Sequence, residues 1–455
     1  MSAVLTSRVS VLYGLGAMAL VVMVCMVFQV GYDPPSQLDP EPALAPWHHI
    51  SEGKAPSKSF FIPGKGGKCK RTVRIVLDAG PGLGSSLMLL QLPGLTIARH
   101  YGYTPLIDDS SFNYGRLTDF LEPMQLDCDP GEDWQVRPRR DYHAEGWENE
   151  DHIVIYRAGL VHPGGAYVDN FWRNEFMLQG QSQAIQGIDN KALHDAFTTM
   201  PYLPSEMSFS QATRPAFRAI YRTATELFSL TPLMKAELEA LVQTTRPARR
   251  AGVPVLGAIV RLGDKRQESN WNPGANAFEN WQGYADVLRE QLDLLTFGRK
   301  ITAKPILIVM SDDAPIAIDG LRSILGEDEF DIRAIGVPVE VMPFLESDDR
   351  YVPPPPSVDR RRGHKQWDFN SQPELERVAQ ARTFVRDLYY MARHTDSLVV
   401  SSSSNVGRVA LILAGEEKAY GALSTDATPF KAIGGLSRSI DTRWFPCVFY
   451  VGCFR

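Results

Sequence analysis

Strand-like runs that stop at glycine-rich or polar turns, with helical patterns between them, constrain this chain more than any other feature. Arg71-Thr72-Val73-Arg74-Ile75-Val76-Leu77 is a β-branched run ending at Asp78. Gly80, Gly82 and Gly84 follow it, then the apolar stretch Leu87 to Ile97. Strand, glycine turn and helix in that order open an α/β unit. After the helix stop at Gly102, Tyr103 to Ile107 reads as the next strand. Farther along, Val255 to Val260, Pro305 to Met310 and Ser397 to Ser401 read as strands. Trp281 to Leu295 and Pro373 to Arg393 read as helices. This alternation predicts parallel sheets covered by helices on both faces.

The 455 residues suffice for two or three domains. Lys plus Arg is 47 and Asp plus Glu is 53, so the net charge is 47 − 53 = −6, which gives no support for charge-driven nucleic-acid binding. From Val9 to Val30 no residue is charged, and Arg8 precedes the run. That length suits a helix crossing a bilayer core of roughly 30 Å. The alternative is a cleaved signal peptide, but no small-x-small site ends the run before Gln29. Residues 1–32 are therefore expected to be a cytoplasmic tail and transmembrane anchor, with the rest lumenal. Residues 33–70, rich in Pro and Gly, read as a stem without packed elements. Residues 71–248 and 249–455 are the two expected α/β domains, divided near Thr244 to Gly252, where Arg246, Pro247, Arg249 and Arg250 interrupt the pattern. Outside the apolar run lie Cys69, Cys128, Cys447 and Cys453. Cys69–Cys128 and Cys447–Cys453 are the expected disulfides, with four buried thiols as the alternative. No Asn-x-Ser/Thr acceptor occurs in the chain.

Four turns carry groups with chemistry. Gly80-Pro81-Gly82-Leu83-Gly84-Ser85-Ser86 can bring backbone N–H groups to a phosphate at a helix start. It departs from the dinucleotide fingerprint, since Leu87 stands where a third glycine is needed, and it lacks the P-loop Lys. Val260-Arg261-Leu262-Gly263-Asp264-Lys265 puts an always-charged Arg at a strand's carboxyl end, where ligands of α/β sheets bind. Ser311-Asp312-Asp313 puts two carboxylates at the next strand end, for ligand or for helix capping. Ser401-Ser402-Ser403-Ser404-Asn405-Val406-Gly407-Arg408 opens a helix with hydroxyls and N–H groups, as an anion cradle or an N-cap. Arg, Asp-Asp and Ser-Ser on successive strand ends suit a nucleoside diphosphate.

At these residues the chain resembles the α1,6-fucosyltransferases of glycosyltransferase family 23. Gly82-Leu83-Gly84-Ser85-Ser86-Leu87, with Ile97-Ala98-Arg99-His100-Tyr101-Gly102 behind it, is similar to the family's first glycine turn and helix. Val260-Arg261-Leu262-Gly263-Asp264-Lys265 resembles its V-R-R-T-D-K motif. Ser403-Ser404-Asn405-Val406-Gly407-Arg408-Val409-Ala410 resembles its F-S-S-Q-V-C-R-V-A motif in register. Asp312-Asp313 falls at the family's T-D-D, and Asp387 lies near its L-D-I. The resemblance implies a GT-B-like α/β fold of two Rossmann-type domains. It implies GDP-fucose as donor, a glycan or glycoprotein acceptor, inversion, and neither metal nor cofactor. It places the protein in the Golgi or endoplasmic reticulum membrane as a single-pass type II protein. Arg261, Lys265 and Glu268 are the implied catalytic set. Gly82, Gly84, Asp264, Asp312, Asp313, Asp387, Ser403 and Ser404 are the implied donor contacts.

The chain departs from that family at named positions. Leu262 replaces its second Arg, and Ile259 its guanine-side His. Ser269 aligns with its Glu, with Glu268 one residue away. With 455 − 408 = 47 residues after Arg408, neither the SH3-like domain of the animal enzymes nor their coiled-coil stem is expected here. These departures keep open a membrane-anchored GDP-sugar-binding pseudoenzyme; a nucleotide-dependent oxidoreductase is the third class. Asp127-Cys128-Asp129 has the Asp-x-Asp form of metal-dependent glycosyltransferases, but Pro130-Gly131 after it marks a turn. His48-His49, His162 to Gly165, and Arg360-Arg361-Arg362 with His364 and Lys365 read as stem or loop.

Overall fold

A computed structural model describes residues 60–77, 82–135, 151–156, 171, 206–262, 279–298, 303–335, 369–420, 436–440 and 444. Contacts divide the chain into residues 1–58 and 59–455, and every described residue belongs to the second unit. The first half opens with β1 (Phe61–Ile62) and β2 (Thr72–Val76). Helix α1 follows as Leu83–Ser85, a wider π stretch Ser86–Gln91, then Leu92–His100. Next come β3 (Thr104–Asp108), β4 (Met124–Gln125), β5 (His152–Tyr156), α2 (Glu206–Leu227) and α3 (Pro232–Arg250). The second half holds β6 (Val255–Val260), α4 (Trp281–Thr296), β7 (Ile306–Ser311), α5 (Ala314–Leu325) and β8 (Asp331–Ile335). It continues through α6 (Glu374–His394), β9 (Ser397–Val400), α7 (Asn405–Ala414), α8 (Glu416–Tyr420) and β10 (Ser437–Ser439).

The chain is thus mixed α/β with parallel sheets. One sheet has the order β3-β2-β5, and the other β10-β9-β6-β7-β8. All pairings in both are parallel. In β6 the alternation sorts two faces. Leu256, Ala258 and Val260 pack with Tyr284, Leu288 and Leu321 of α4 and α5. Val255 and Ile259 pack toward Leu388 and Met391 of α6 and Val409 of α7. Parallel strands buried on both faces read as unbroken apolar runs, which is why β6 and β7 are legible in the sequence. One apolar core runs from β2 through α1, α2 and α7 to this second face.

Two expectations are corrected here. The stretch assigned to the end of the stem is packed: Phe60 is fully buried, and β1 pairs in parallel with β4. Gly64 N–H donates to the Cys128 carbonyl at 3.0 Å and Cys69 N–H to the Asp129 carbonyl at 2.9 Å. Cys69 and Cys128 form a disulfide, as expected; Cys447–Cys453 lies outside the described residues. The interruption expected at Thr244 to Gly252 is instead the last part of α3, which runs through Pro247 to Arg250. Tertiary contacts hold that end despite the proline: Thr245 hydroxyl meets Tyr390 hydroxyl at 2.9 Å, and Arg249 donates to the His394 carbonyl. No helix among the described residues is long and apolar enough to cross a membrane. Residues 1–32, where the anchor is expected, lie outside them.

Helix α8 is tied to α2 by charge. Glu416 accepts from Arg214 Nε at 2.5 Å and from Arg218 Nη2 at 2.6 Å. These bonds pull its carboxyl down from 4.5 to about 2. A carboxyl depressed by folding stabilises the native state above its unfolded pKa and loses that contribution as pH falls through the folded one. Glu416→Gln is therefore expected to lower the unfolding free energy at pH 7 by about 1–3 kcal/mol, a range reduced for partial exposure. The gap to wild type should narrow between pH 4.5 and 2 in urea titrations. A gap of equal size at pH 7 and pH 3 would show that the ion pair does not carry it.

Candidate functional site at the carboxyl edge of the parallel sheet

The register of the five-stranded sheet decides which turns become neighbours. Val260 pairs with Ser311 across β6 and β7, and Ala258 pairs with Val399 across β6 and β9. Strand β6 ends at Val260, β7 at Ser311 and β9 at Val400, so Arg261, Asp312 and the serine turn directly follow the ends of three adjacent strands. Arg261, Asp312 and the serine turn thus share the sheet's carboxyl edge, where α/β sheets bind ligands.

Arg261 is the centre of this edge. Its side chain is 17% exposed, and its Nη1 lies 3.4 Å from Asp312 Oδ2. Among the described residues, Arg261 Nε is buried without a hydrogen-bond partner. Asp312 Oδ1 accepts the Leu262 N–H at 2.8 Å. Leu262 is fully buried in the apolar layer with α4 and α5. Alternation along the chain therefore sends Leu262 to the opposite face from Arg261. Ile259 is likewise a core residue, and its carbonyl accepts the Tyr284 hydroxyl at 2.9 Å.

The serine turn is built by close packing. Ser404 N–H donates to the Ser401 carbonyl at 3.2 Å, and the Ser401 and Ser403 hydroxyls lie 2.9 Å apart. Ser402 N–H donates to Ser439 Oγ at 2.9 Å. A Cβ on Gly407 would come within 2.1 Å of the Ser401 carbonyl oxygen, so only glycine fits under the turn. Ser404 is the N-cap of α7, yet its side chain makes no capping bond to the helix. The amide dipoles at this helix start favour negative charge.

The first glycine turn meets the start of α7 at this point. A Cβ on Gly84 would lie 2.6 Å from Val406 Cγ2 and 3.1 Å from Val406 N. Asn405 Nδ2 donates to Ser85 Oγ at 2.9 Å, and Arg408 donates to Asn405 Oδ1. Gly84 is therefore needed for close helix approach, and Gly82 leads into the same turn as the residue before α1. Sequence reasoning missed the Ser85–Asn405 bond and the Arg261–Asp312 pair, which join residues far apart in the chain.

Other expected site residues are placed differently. Asp313 is the N-cap of α5, and its side chain accepts from Ile316 N–H. Asp387 lies 1% exposed in α6, with Oδ1 accepting from Arg386 Nε at 2.8 Å. Burial pushes its carboxyl up to about 6, against the pull of Arg386. Among the described residues its bonded partner is Arg386, and it makes no hydrogen bond or ion pair with Arg261 or Asp312. Ser403 and Ser404 lie in the serine turn. Asp264, Lys265 and Glu268 lie outside the described residues, as do Ser269, His48, His49, His162 to Gly165, Arg360 to Arg362, His364 and Lys365. The Asp127-Cys128-Asp129 segment is a turn, with Asp129 Oδ1 accepting the Gly131 N–H at 2.9 Å.

No protein-family model matches this chain, and no curated protein matches it significantly. Among solved structures, the chain is similar to the NodZ alpha-1,6-fucosyltransferase soaked with GDP-fucose, at 15% identity and a TM-score of 0.34. That match covers 76% of this chain and 92% of the other. A mutant of Arabidopsis thaliana FUT1 in complex with GDP matches at 15% identity and a TM-score of 0.35, over 77% of this chain and 70% of that one. At these scores the likeness is loose, and it carries neither an architecture nor an activity over to this chain.

Proposed function

We propose that the chain is a glycosyltransferase of the family 23 type, moving fucose from GDP-fucose to a glycan or glycoprotein with inversion and without a metal. The observation that carries the reading is Arg261: a guanidinium whose buried Nε has no partner among the described residues, at the carboxyl edge of a parallel sheet, one strand from a serine turn that opens a helix. A departing GDP builds negative charge on its β-phosphate. Arg261, the Ser403 and Ser404 hydroxyls and the N–H groups at the start of α7 stabilise that charge without a cation. Lys265, Asp264 and Glu268 continue the same motif, with Glu268 as the base that deprotonates the acceptor hydroxyl. Attachment through residues 1–32 and a lumenal Golgi or endoplasmic reticulum location belong to the same reading. The GT-B architecture belongs to it as well.

The competing reading is donor binding without turnover. It draws support from Leu262 and Ile259, both buried in the core where the resembled family carries Arg and His. GDP-fucose hydrolysis and transfer to an acceptor array separate the two. Tight NAD(P) binding by calorimetry with no response to GDP would end both. If Arg261 and the serine turn neutralise the diphosphate, full activity survives excess EDTA. Activity that vanishes with EDTA and returns with Mn²⁺ would sink the metal-free mechanism and redirect attention to Asp127 and Asp129.

A further inference from the structure

The pair at the sheet edge has an asymmetry that bears on how product leaves. Asp312 is anchored on one oxygen only: Oδ1 accepts the Leu262 N–H at 2.8 Å. Its Oδ2 faces Arg261 Nη1 at 3.4 Å, and among the described residues neither Oδ2 nor Arg261 Nε has a hydrogen-bond partner. Asp312 is 6% exposed, so this oxygen has little water to turn to. The ion pair is therefore Coulombic and unsaturated, longer than the usual 2.7–2.9 Å or so of a charge-assisted hydrogen bond. A diphosphate oxygen that makes such a bond displaces it. The Leu262 N–H keeps the carboxylate in place meanwhile, beside the guanidinium it has lost.

Resting on the donor reading above, we propose that Asp312 is a positioning residue that competes with the nucleoside diphosphate for Arg261: it holds the guanidinium when the site is empty, yields it to the donor, and reclaims it as GDP departs. This differs from a direct donor contact. A donor contact strengthens GDP binding, whereas a competing carboxylate weakens it and speeds its exit. The carboxylate also repels the phosphate it faces. One like charge at this range and an effective dielectric of about 20 is enough to change affinity about tenfold after screening.

Asp312→Asn tests the idea, because asparagine keeps an oxygen for the Leu262 N–H and removes the charge. GDP titrated by calorimetry into the purified chain is expected to bind the variant about tenfold more tightly than wild type, through slower dissociation. The melt of the empty variant is expected to fall, because Arg261 loses its counter-charge, while the upward shift produced by GDP grows. A destabilised site with no competing role would lose GDP affinity along with its melt. Unchanged GDP affinity overturns the inference, and weakened affinity does so in favour of Asp312 as a direct donor contact. If Asp312→Asn does not fold, Asp312→Ser, which also removes the charge, carries the same comparison. Wild-type chain that binds no GDP brings down the donor reading and the inference with it; wild type that binds while the variant binds no better brings down the inference alone.

Discussion

Cys69→Ser lowers the unfolding free energy of the chain by about 4 kcal/mol. The disulfide joins residues separated by 59 positions, so in the reduced unfolded chain a long loop regains its freedom. A loop of that length falls between the roughly 3 and 4.7 kcal/mol expected for short and long closures. The segment it fastens has little else of its own. Strand β1 is two residues long, and its partner β4 is equally short. Their pairing extends through irregular backbone bonds: Gly64 N–H on the Cys128 carbonyl at 3.0 Å, Gly66 N–H on the Asp127 carbonyl at 3.1 Å, Cys69 N–H on the Asp129 carbonyl at 2.9 Å and Asp129 N–H on the Gly67 carbonyl at 2.7 Å. Phe60 and Phe61 anchor this strap in the core, with Phe61 edge-on to Trp134 at 4.9 Å. Urea unfolding of wild type with and without dithiothreitol, beside Cys69→Ser, measures the effect. The reduced wild type should unfold with the variant. Curves that coincide with and without reductant would mean that this bond adds nothing to stability.

The same segment shows what a pattern reading can and cannot recover. Gly64 and Gly66 look like loop punctuation in the sequence. In the structure a Cβ on Gly64 would lie 2.3 Å from the Leu126 carbonyl oxygen, so the glycine marks two backbones in close approach. The partner lies some sixty residues away, and no local period reports it. By contrast β6 was legible to the residue, because a strand buried on both faces is continuously apolar. Strand β8 (Asp331–Ile335) escapes that logic: it is an edge strand, only Ile335 is buried, and Asp331 and Arg333 pair with each other across one turn of the strand's pleat. Helix α2 hides for another reason, since Pro215 sits inside it. At the site, Arg261, Asp312 and Ser403 could be picked from their strand ends. Their grouping as one set could be read as well, but not which of them are neighbours, because that depends on the strand order β9-β6-β7, which skips across the sequence. The role of Asp313 was ambiguous for a local reason: a carboxylate after a strand and before a helix serves equally as ligand or cap, and here its side chain caps α5.

Arg261→Lys separates a phosphate-binding Arg from a structural one. Lysine keeps the positive charge and its attraction to Asp312, so the fold at the end of β6 should persist. It loses the planar fork that can hold two phosphate oxygens together. If Arg261 stabilises departing GDP, the loss grows as negative charge develops, so kcat should fall further than donor affinity. One lost charge-assisted contact in a dry site amounts to about 2.7–4 kcal/mol, or roughly 10²–10³ in rate, by analogy with oxyanion-donor deletions. The neighbouring position cannot compensate, because Leu262 is fully buried on the other face and has no donor. An Arg that merely balances Asp312 would lose almost nothing on this change, since lysine balances it too. GDP-fucose turnover and GDP binding, measured on wild type and variant with matched thermal melts, decide between them. Turnover near the wild-type value in Arg261→Lys would remove Arg261 from the chemistry, and with it the observation on which the fucosyltransferase reading stands.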